Sequence, residues 1–491
     1  MEERKGFGSN FGFLMAAVGS AVGLGNIWGF PYKMGANGGF TFLLVYIFLG
    51  VTCGFIVMIS ELAMGRKTGK GAVETYKILS RKFKWMGWLG IASAFFILFF
   101  YCALGGYCIK YVVLNVGDLF NASFGSNVFA EAAAASGSST GAAAWAALIA
   151  NPTEAIVYGM IFVALTMLIV LGGVGGGIEK VCSVGMPALF VALLICIIRS
   201  CTLPGAVNGL KYMFIPGWAV ANGVIEEAPN LFQVFATAGG QMFFSLSLAM
   251  GAMITYGSYL NQKEDLVKNS AIIVFADTLV ATMAGIAVIP AAVANGIASG
   301  TPLDQIKLGG PNLLFVTLQD VFRAMGTVGA LFGVIFYLLV LIAAISSAIA
   351  LIEVDITYFL DRAEQKGRKG NRPKVAFLVC LAIFAVSVLV GIDGLGTTGV
   401  FPWPATAGWN DSMLDFVDML SEGLAMPIGA LMMSIMVGWE IRPQTVLDEL
   451  HIGYTGRIDT FYRICIKYIT PIGMLLVLAG QVNEFFSLNW F

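Results

Sequence analysis

A few oxygen-bearing side chains stand inside long apolar runs of this 491-residue chain, where they could hold a cation. Asp277 lies within SAIIVFADTLVATMAGIAV, and the pair Ser346 and Ser347 lies within LIAAISSAIAL. A carboxylate in such a run costs at least about 2.5 kcal/mol on membrane-insertion scales, so it usually has a partner and a task. Oxygen ligands suit hard cations such as sodium, and Asn26 and Ser245 could add two more. The serines alone are weaker candidates, because serines in membrane helices often donate to the preceding turn.

The elements that must position these residues are membrane helices. Hydrophobic residues make up 58% of the chain and charged residues 12%, and the mean hydropathy is +0.84. A typical soluble domain is about 25% charged. Apolar runs of about 20 residues, the length that a bilayer core requires, recur throughout. They predict eleven spans, at residues 11–33, 39–64, 88–116, 155–173, 181–201, 231–259, 268–297, 329–358, 375–391, 412–439 and 461–480. We therefore expect one all-α membrane domain, residues 1–491, in a lipid bilayer. The net charge of −1 gives no sign of a nucleic-acid partner.

The distribution of charge predicts the orientation of the chain. Loops 65–87 and 362–374 are rich in lysine and arginine, whereas 118–153 and 392–418 contain neither residue. The positive-inside rule then places the basic loops and the N-terminus in the cytoplasm. With eleven spans, the C-terminus faces outside. The expected location is the cell (inner) membrane, which the chain crosses many times.

Two predicted spans are interrupted in their middles by glycine and polar residues. The first contains VGSAVGLGNIWGFP (18–31), and the sixth contains ATAGGQMFFSLSLAMGAM (236–253). Matched breaks five spans apart indicate an inverted-repeat transporter with its binding site at the breaks. The repeats would cover 1–201 and 231–439, with 461–480 as an extra helix. Close helix packing through Gly19 and Gly23 is the alternative, but two breaks that both carry polar residues favour a binding site.

The remaining polar residues give weaker signals. Glu61, in MISELAMGR, could brace the unwound segments or could simply mark the membrane boundary. The eight cysteines have no metal-ligand spacing. His451 is the one histidine, in a predicted cytoplasmic loop, and it has no recognisable serine and aspartate partners. These observations argue against an enzyme.

The motifs GSAVGLGNIWGFPY, NGGFTFLLVY, SELAMGR, GGQMFFSLSLAMGAMITYGSY and SSAIALIE, in this order, resemble those of the neurotransmitter:sodium symporters, in the bacterial branch that transports amino acids. The resemblance runs from about residue 4 to 480. It implies the five-plus-five inverted repeat with helices 1 and 6 broken, and some bacterial members also have eleven helices. It includes GGIEKVCSVGMP, whose Gly177 and Pro187 match a family motif linked to unwinding of the fifth helix on the cytoplasmic side.

The resemblance implies one or two sodium sites. The first would use the substrate carboxylate and four residues of this chain, namely the Ala21 carbonyl, Asn26, Ser245 and Asp277. The second would use the carbonyls of Gly19, Val22 and Ala343 and the hydroxyls of Ser346 and Ser347.

The resemblance also implies a substrate site between the two breaks. Its residues would be Ser20, Ala21, Gly23, Leu24, Gly25, Ile97, Tyr101, Phe244, Ser245, Ser247, Met250, Ser347 and Leu351. Gly23 leaves room for a substrate carboxylate, whereas monoamine carriers of the family have an aspartate there. We therefore expect a symporter that imports a neutral, apolar amino acid. A carrier of amines or other small solutes, and a substrate-gated channel or sensor, stay open as alternatives.

The gates depart from the family pattern. The family usually has arginine where this chain has Gly29, and that arginine pairs across the outer gate with an acid that matches Asp415. Lys33, one turn on, could substitute for it, or the gate could close through Tyr101 and Phe244 alone. On the cytoplasmic side Arg4 and Asp361 match the inner gate pair, while Phe7 replaces the usual tryptophan.

Chloride is not expected to take part. Tyr46, Gln241 and Ser245 match positions of the chloride site in animal members, but Asp277 places a fixed negative charge beside the first sodium site. A carboxylate there would offset the sodium charge as chloride does. We therefore predict transport that is independent of chloride.

Overall fold

The computed structural model describes residues 6–306, 308, 312–401, 412–450, 456–486, 488 and 490. Within these residues the secondary structure consists of helices and turns, and no strand is present. We number the spans as the sequence predicts them. Spans 2 to 5 are Phe40–Thr68, Met86–Leu119, Pro152–Leu171 and Val174–Cys201, and spans 7 to 11 are Leu266–Ala298, Gly326–Gln365, Arg372–Asp393, Met413–Glu440 and Arg457–Phe486.

Spans 1 and 6 are the two broken ones, as predicted. Span 1 consists of Asn10–Ala21 and Gly25–Ala36, which meet at an angle of 47°. Span 6 consists of Leu231–Ser245 and Ala252–Gly257. In the described residues nine helices are long and apolar enough to cross a membrane, and the bent pair of span 1 would make ten. The second half of span 6 is short, so the count of eleven stays a prediction, as do the boundaries of the two repeats.

The break in span 1 follows from its glycines. Ser9 caps the first half, because its side chain accepts from the Gly12 amide. The helix ends at Ala21, and the backbone of the capping residue Val22 is extended, with φ −81° and ψ 97°. The chain then re-enters a helix through a widened π turn at Gly25–Gly29. Such turns occur frequently at functional sites.

The break in span 6 depends on left-handed backbone. Ser247, Ala249 and Gly251 have φ values of 52°, 60° and 80° between the two halves. Glycine adopts this conformation freely, whereas serine and alanine do so at a cost. Strained residues of this kind concentrate at functional sites. The break therefore stores strain beside the predicted binding site.

Spans 3 and 8 form the wall beside the breaks. They contain 34 and 40 residues, so at about 1.5 Å per residue they extend well beyond a hydrocarbon core of about 30 Å. The two helices pack along each other. Span 3 brings Tyr101, and span 8 brings Ser347, to the level where span 1 opens.

Span 5 contains the residues that match the family's unwinding motif, and it is helical in this structure. Its helix is continuous from Val174 to Cys201 and includes Pro187. The region of Gly177 is a widened π turn, Val174–Glu179, rather than an unwound segment. Gly173, with φ 76°, forms the turn that separates this helix from span 4.

Candidate functional site

The opening of span 1 leaves backbone groups that other residues bind. The Gly23 amide donates to Asn26 Oδ1 at 3.0 Å, and the Leu24 amide donates to the Tyr101 hydroxyl at 3.0 Å. The Gly25 carbonyl accepts from Gln241 Nε2 at 2.7 Å. Asn26 and Tyr101 thus satisfy two amides that the break leaves without helical partners, because backbone groups at membrane depth must be satisfied, whereas the Gly25 carbonyl also accepts from the Phe30 amide.

Asp277 of span 7 joins the two breaks. Its Oδ1 accepts from Asn26 Nδ2 at 2.7 Å and from Ser245 Oγ at 2.7 Å. Its Oδ2 accepts from the Tyr46 hydroxyl at 2.8 Å. All four side chains are buried. The structure thus brings together Asn26, Ser245 and Asp277, the side chains predicted for the first cation site, and it adds Tyr46 as a third donor to the carboxylate.

Four of the five residues predicted for the second cation site, Gly19, Ala343, Ser346 and Ser347, lie in contact. Ser347 Oγ lies within hydrogen-bond distance of two carbonyl oxygens of span 1, Gly19 at 3.2 Å and Ser20 at 3.1 Å. Ser346 Oγ instead donates to the Ala343 carbonyl of its own helix at 2.9 Å. Gly19 permits the close approach, because a Cβ there would lie 3.1 Å from Ser346 Cβ. The nearby Val22 supplies the extended backbone at the end of the helix.

A small cavity lies between the breaks and spans 3 and 8. Its lining consists of Ser20, Ala21, Gly23, Gly25, Ile97, Tyr101, Phe244, Ser245, Ser247, Met250, Ser347 and Leu351. These are the predicted substrate residues with the exception of Leu24, whose amide binds Tyr101 just outside the lining. One end is polar, where Ser247 Oγ donates to the Ser20 carbonyl at 2.8 Å. The other end is apolar.

Glycine is required on the polar side of this cavity. A Cβ at Gly23 would lie 2.3 Å from Ser347 Oγ and 2.6 Å from the Tyr101 hydroxyl. A Cβ at Gly25 would lie 2.8 Å from the Phe244 ring. Main-chain atoms therefore border the cavity directly, where they could contact a small ligand.

Phe244 separates the cavity from a larger vestibule on the predicted outer face. Its ring lines both spaces, and its centroid lies 6.5 Å from that of Tyr101. In the vestibule Lys33 forms a salt bridge with Glu422. The partner of Lys33 is therefore not the expected Asp415, which lies about two turns earlier on span 10 and accepts from Ser412 Oγ.

The predicted inner gate is described in part. Arg4 lies outside the described residues. Asp361 accepts from the Gly71 amide at 2.8 Å and lies 3.8 Å from Lys70 Nζ. Phe7 packs edge-on against Phe13, with ring centroids 5.4 Å apart.

Glu61 braces the second break. Its Oε1 accepts from the Ala249 amide at 2.8 Å, in the segment between the halves of span 6. The side chain is fully buried. Of the two interpretations of Glu61, bracing is the one that this contact supports.

The ion pair between Glu353 and Arg372 was not predicted from the sequence. Glu353 of span 8 accepts from Arg372 Nη1 at 2.9 Å and from the Tyr259 hydroxyl at 2.8 Å. The signal was present, since Glu353 follows an apolar run in the same way as Asp277. The pair ties spans 8 and 9 to the segment that follows span 6.

Comparison with known proteins places these features in a family. The sequence matches the Sodium:neurotransmitter symporter family over residues 4–136 and 149–490. The chain is 32% identical over 483 residues to the uncharacterized sodium-dependent transporter YhdH of Bacillus subtilis, and the match covers 97% of each chain. It is 30% identical to the uncharacterized sodium-dependent transporter MJ1319 of Methanocaldococcus jannaschii, covering 96% of this chain and 89% of that one.

A solved structure agrees with the sequence match. The crystal structure of MhsT in complex with L-phenylalanine has a TM-score of 0.81 with 31% sequence identity, and it covers 97% of this chain and 100% of that one. The family consists of transporters rather than enzymes, and the apolar helices fit a protein that crosses the membrane many times. The chain belongs to the sodium:neurotransmitter symporter family.

Proposed function

We propose that the chain imports a neutral, apolar amino acid together with sodium, by alternating access from the two sides of the membrane. The observation that carries this proposal is the position of Asp277, whose carboxylate bridges Asn26 of one broken span and Ser245 of the other. A cation at this carboxylate would lie beside the cavity. Binding of the cation would then favour the arrangement in which both breaks face the substrate.

The polar end of the cavity suits a zwitterion. The Gly25 amide and the Tyr101 hydroxyl, which accepts from the Leu24 amide, could bind a carboxylate, and the carbonyls of Ala21 and Phe244 could bind an ammonium group. This follows the general behaviour of broken helices, whose N-terminal ends favour anions and whose C-terminal ends favour cations.

An unsatisfied hydroxyl supports the same assignment. Ser20 lines the cavity, and its Oγ is buried without a hydrogen-bond partner among the described residues. A buried polar group without a partner costs about 1–3 kcal/mol, so a ligand that hydrogen-bonds to it would recover that cost. Ser247 on the facing break already donates to the Ser20 carbonyl.

The apolar end favours an apolar side chain. Ile97, Phe244, Met250 and Leu351 line it. Met250 can adjust its rotamers to different shapes, so several large apolar side chains would fit this composition. The related MhsT structure contains L-phenylalanine, which is consistent with a substrate of this class.

An amine substrate is the second candidate, and the surroundings of Gly23 disfavour it. The aspartate of monoamine carriers would need room that Ser347 and Tyr101 occupy here. The absence of the usual arginine at Gly29 keeps this candidate open. A substrate-gated channel is the third candidate, and it differs in being unable to concentrate a solute.

Sodium at one or two sites would be transported with the amino acid. Asn26, Ser245, Asp277 and the Ala21 carbonyl would hold the first ion. The carbonyls of Gly19, Val22 and Ala343 with Ser346 and Ser347 would hold the second. One charge moving across 100 mV supplies about 2.3 kcal/mol, to which each sodium gradient adds.

Independence from chloride is supported by the donors around Asp277. The hydroxyls of Tyr46 and Ser245 both donate to this carboxylate, and Gln241 Nε2 donates to the Gly25 carbonyl. The side chains of Tyr46, Ser245 and Gln241, which match the chloride site, thus already donate hydrogen bonds to oxygen atoms of the protein. The carboxylate would supply the negative charge in place of chloride.

For the outer gate we propose Phe244 as the inner layer and the Lys33–Glu422 salt bridge as the outer layer. Lys33 lies one turn beyond Gly29, and its salt bridge with Glu422 of span 10 would replace the contact that the family's arginine usually makes. Asp361 would act at the inner gate. This orientation requires the predicted cytoplasmic N-terminus.

The test is uptake into proteoliposomes under an inward sodium gradient. Radiolabelled phenylalanine or leucine should accumulate above its external concentration, equally in sodium chloride and sodium gluconate, with unlabelled apolar amino acids competing and amines not competing. Equilibration without accumulation would favour a channel. Competition by amines alone would contradict the proposed amino-acid substrate. Stimulation of uptake by chloride would contradict the proposed role of Asp277.

A further inference from the structure

A short helix on the predicted outer face, Thr140–Ile149, lies outside the family match except for its last residue. The match ends at residue 136 and resumes at 149. The sequence TGAAAWAALI favours a helix, because alanine is the best helix former, and Ser139 caps it by accepting from the Ala142 amide at 3.1 Å. We call this element the outer-loop helix. A role for it has to come from its own contacts in this chain.

One face of the outer-loop helix is buried. Its buried residues are Gly141, Ala144, Trp145 and Leu148, at the spacing of one helical face. This face packs against the segment Leu313–Ala324, which lies between spans 7 and 8. We call it the vestibule segment, because it contributes a ring to the lining of the outer vestibule.

Trp145 stacks on Phe315 of the vestibule segment. The two rings are nearly parallel, at 3°, and their centroids lie 4.8 Å apart. Tyr107 of span 3 packs edge-on against the other ring, with its centroid 5.5 Å from that of Trp145. Both stacked rings are buried and border the vestibule. Because aromatic pairs are stabilising beyond the area they bury, Trp145 holds Phe315 in place beside span 3.

The outer-loop helix is fixed near both of its ends. At its start, a Cβ on Gly141 would lie 2.7 Å from the Val316 carbonyl oxygen, so glycine permits a close approach to the vestibule segment. At its end, the Ile149 carbonyl accepts from Thr397 Oγ1 at 3.4 Å, and a Cβ on Gly394 would lie 2.2 Å from that carbonyl oxygen. The helix therefore bridges the vestibule segment and the turn that follows span 9.

We propose that Trp145 is a positioning residue that holds the vestibule segment at the wall of the outer vestibule and thereby limits how fast the substrate enters and leaves the cavity. Separation of the Trp145 and Phe315 rings frees one side of this segment. On its other side the Tyr337 hydroxyl still donates to the Leu314 carbonyl at 2.9 Å. The inference rests on the proposed transport function and adds a residue that acts through Phe315 rather than by touching the substrate.

Hydrogen exchange of the full chain, followed by peptide mass spectrometry without substrate, measures opening of the vestibule segment. Trp145→Ala should raise the exchange rate of amides in Leu313–Ala324 by about two- to tenfold, the range expected for the loss of one stacked aromatic pair. Exchange in Ala72–Leu79, a helix on the predicted cytoplasmic side, reports general unfolding and should be unchanged.

Three further variants test the cause of the effect. Trp145→Phe should restore most of the wild-type exchange rate, because a phenylalanine ring can still stack on Phe315. Gly141→Ala should act in the same direction as Trp145→Ala, because the added methyl group pushes the outer-loop helix away from the Val316 carbonyl. Trp218→Ala removes a tryptophan of another outer connection, away from the vestibule lining, and should leave exchange in the vestibule segment unaltered.

The kinetics of radiolabelled phenylalanine test the consequence for the substrate. Trp145→Ala should raise the association and dissociation rates by the same factor. The equilibrium affinity should stay unchanged, because a residue that does not interact differently with the free and bound states cannot shift the equilibrium between them. An increase in the dissociation rate alone would mark Trp145 as a substrate contact and would overturn the positioning role.

An unchanged exchange rate of the vestibule segment in Trp145→Ala would also overturn the proposal, and so would an equal increase in Ala72–Leu79, which would show general destabilisation. If Trp145→Ala does not fold, Trp145→Leu decides in the same way, because it keeps an apolar side chain and removes the stacked ring. A wild type that does not bind phenylalanine would contradict the proposed substrate. Exchange is measured without substrate, so it would still decide whether Trp145 holds the vestibule segment.

Discussion

The carboxylate of Asp277 and the side-chain amide of Asn26 lie 2.7 Å apart, between a continuous span and a broken one. Asn26 also holds the Gly23 amide through its Oδ1. A charge on span 7 is therefore connected through one side chain to the main chain at the break of span 1. A cation bound at Asp277 would therefore affect the geometry of the cavity between the two breaks through this connection.

Asp277→Asn should lower the apparent affinity for sodium by about ten- to a hundredfold, because a buried charge that faces the cation is lost while the shape is kept. Added chloride should restore part of the uptake in this variant and should have no effect on the wild type. Uptake as a function of sodium, in chloride and in gluconate, measures both effects. Asp320→Asn, in a connection on the predicted outer face, is the control. An Asp277→Asn variant with unchanged sodium dependence would contradict the first cation site.

Gly23→Ala should abolish substrate binding with little effect on the fold. The added Cβ would lie 2.3 Å from Ser347 Oγ and 2.6 Å from the Tyr101 hydroxyl, so both polar groups must move away from the cavity. Binding can be measured by scintillation proximity with radiolabelled phenylalanine. Gly159→Ala is a matched control, since its Cβ would meet only the Cys102 carbonyl at 3.8 Å. Equal binding by the two variants would place the substrate elsewhere.

Ser20→Ala distinguishes a ligand contact from a packing role. Because the Ser20 hydroxyl is buried and makes no hydrogen bond among the described residues, its removal should leave the melting temperature equal or slightly higher. Substrate affinity should nevertheless fall by about five- to tenfold, the value of one lost hydrogen bond. Thermal unfolding with and without substrate reports both quantities. A variant with higher stability and full affinity would show that the hydroxyl does not contact the substrate.

The Lys33–Glu422 pair should behave as one unit. Both side chains are largely buried, with 14% and 8% exposed, so removal of either partner leaves a largely buried charge without this salt bridge. Lys33→Ala and Glu422→Ala should each reduce transport by about tenfold or more, which corresponds to a loss of at least about 1.4 kcal/mol. The exchange of the two residues, Lys33→Glu with Glu422→Lys, should recover part of it. Asp415→Ala should reduce transport less than Glu422→Ala does. A larger reduction in Asp415→Ala would indicate that Asp415, as is usual in the family, is the acid of the outer gate.

Ala249→Gly should stabilise the protein by about 0.5–1 kcal/mol. Ala249 has φ 60°, a conformation that glycine adopts without the clash of a Cβ. The contact between its amide and Glu61 should be unaffected. Ala238→Gly, within the helical first half of span 6, should instead destabilise by about 1 kcal/mol or more. The melting temperatures of both variants should be compared with that of the wild type. An equal decrease in both would contradict backbone strain at Ala249.

Much of the fold could be predicted, because apolar runs of the right length have few alternatives to a membrane helix. The two breaks could be predicted because glycines weaken a helix interior and polar residues are costly at membrane depth, so their clustering in the middle of a span indicates an interruption. The short second half of span 6 could not be placed accurately. Its limits depend on left-handed residues from Ser247 to Gly251, which sequence periodicity does not reveal.

The partners of charged residues were harder to predict than their presence. Lys33 could reach acids on successive turns of span 10, and the choice of Glu422 depends on how that helix is rotated against span 1. Glu353 carried the same signal as Asp277, but Arg372 comes from the beginning of the next helix, beyond a polar turn. Such pairs depend on tertiary packing, and the linear pattern contains no information on helix rotation.

A single aromatic ring, that of Phe244, is the partition between two compartments of unequal size. If the proposed function is correct, a zwitterion small enough to pass the ring would be transported, while a bulkier zwitterionic analogue would lodge with its side chain against the ring and prevent closure. Blockers of this carrier should therefore be obtained by enlarging its own substrates, and widening the partition, as in Phe244→Ala, should turn the smaller of those blockers into transported compounds.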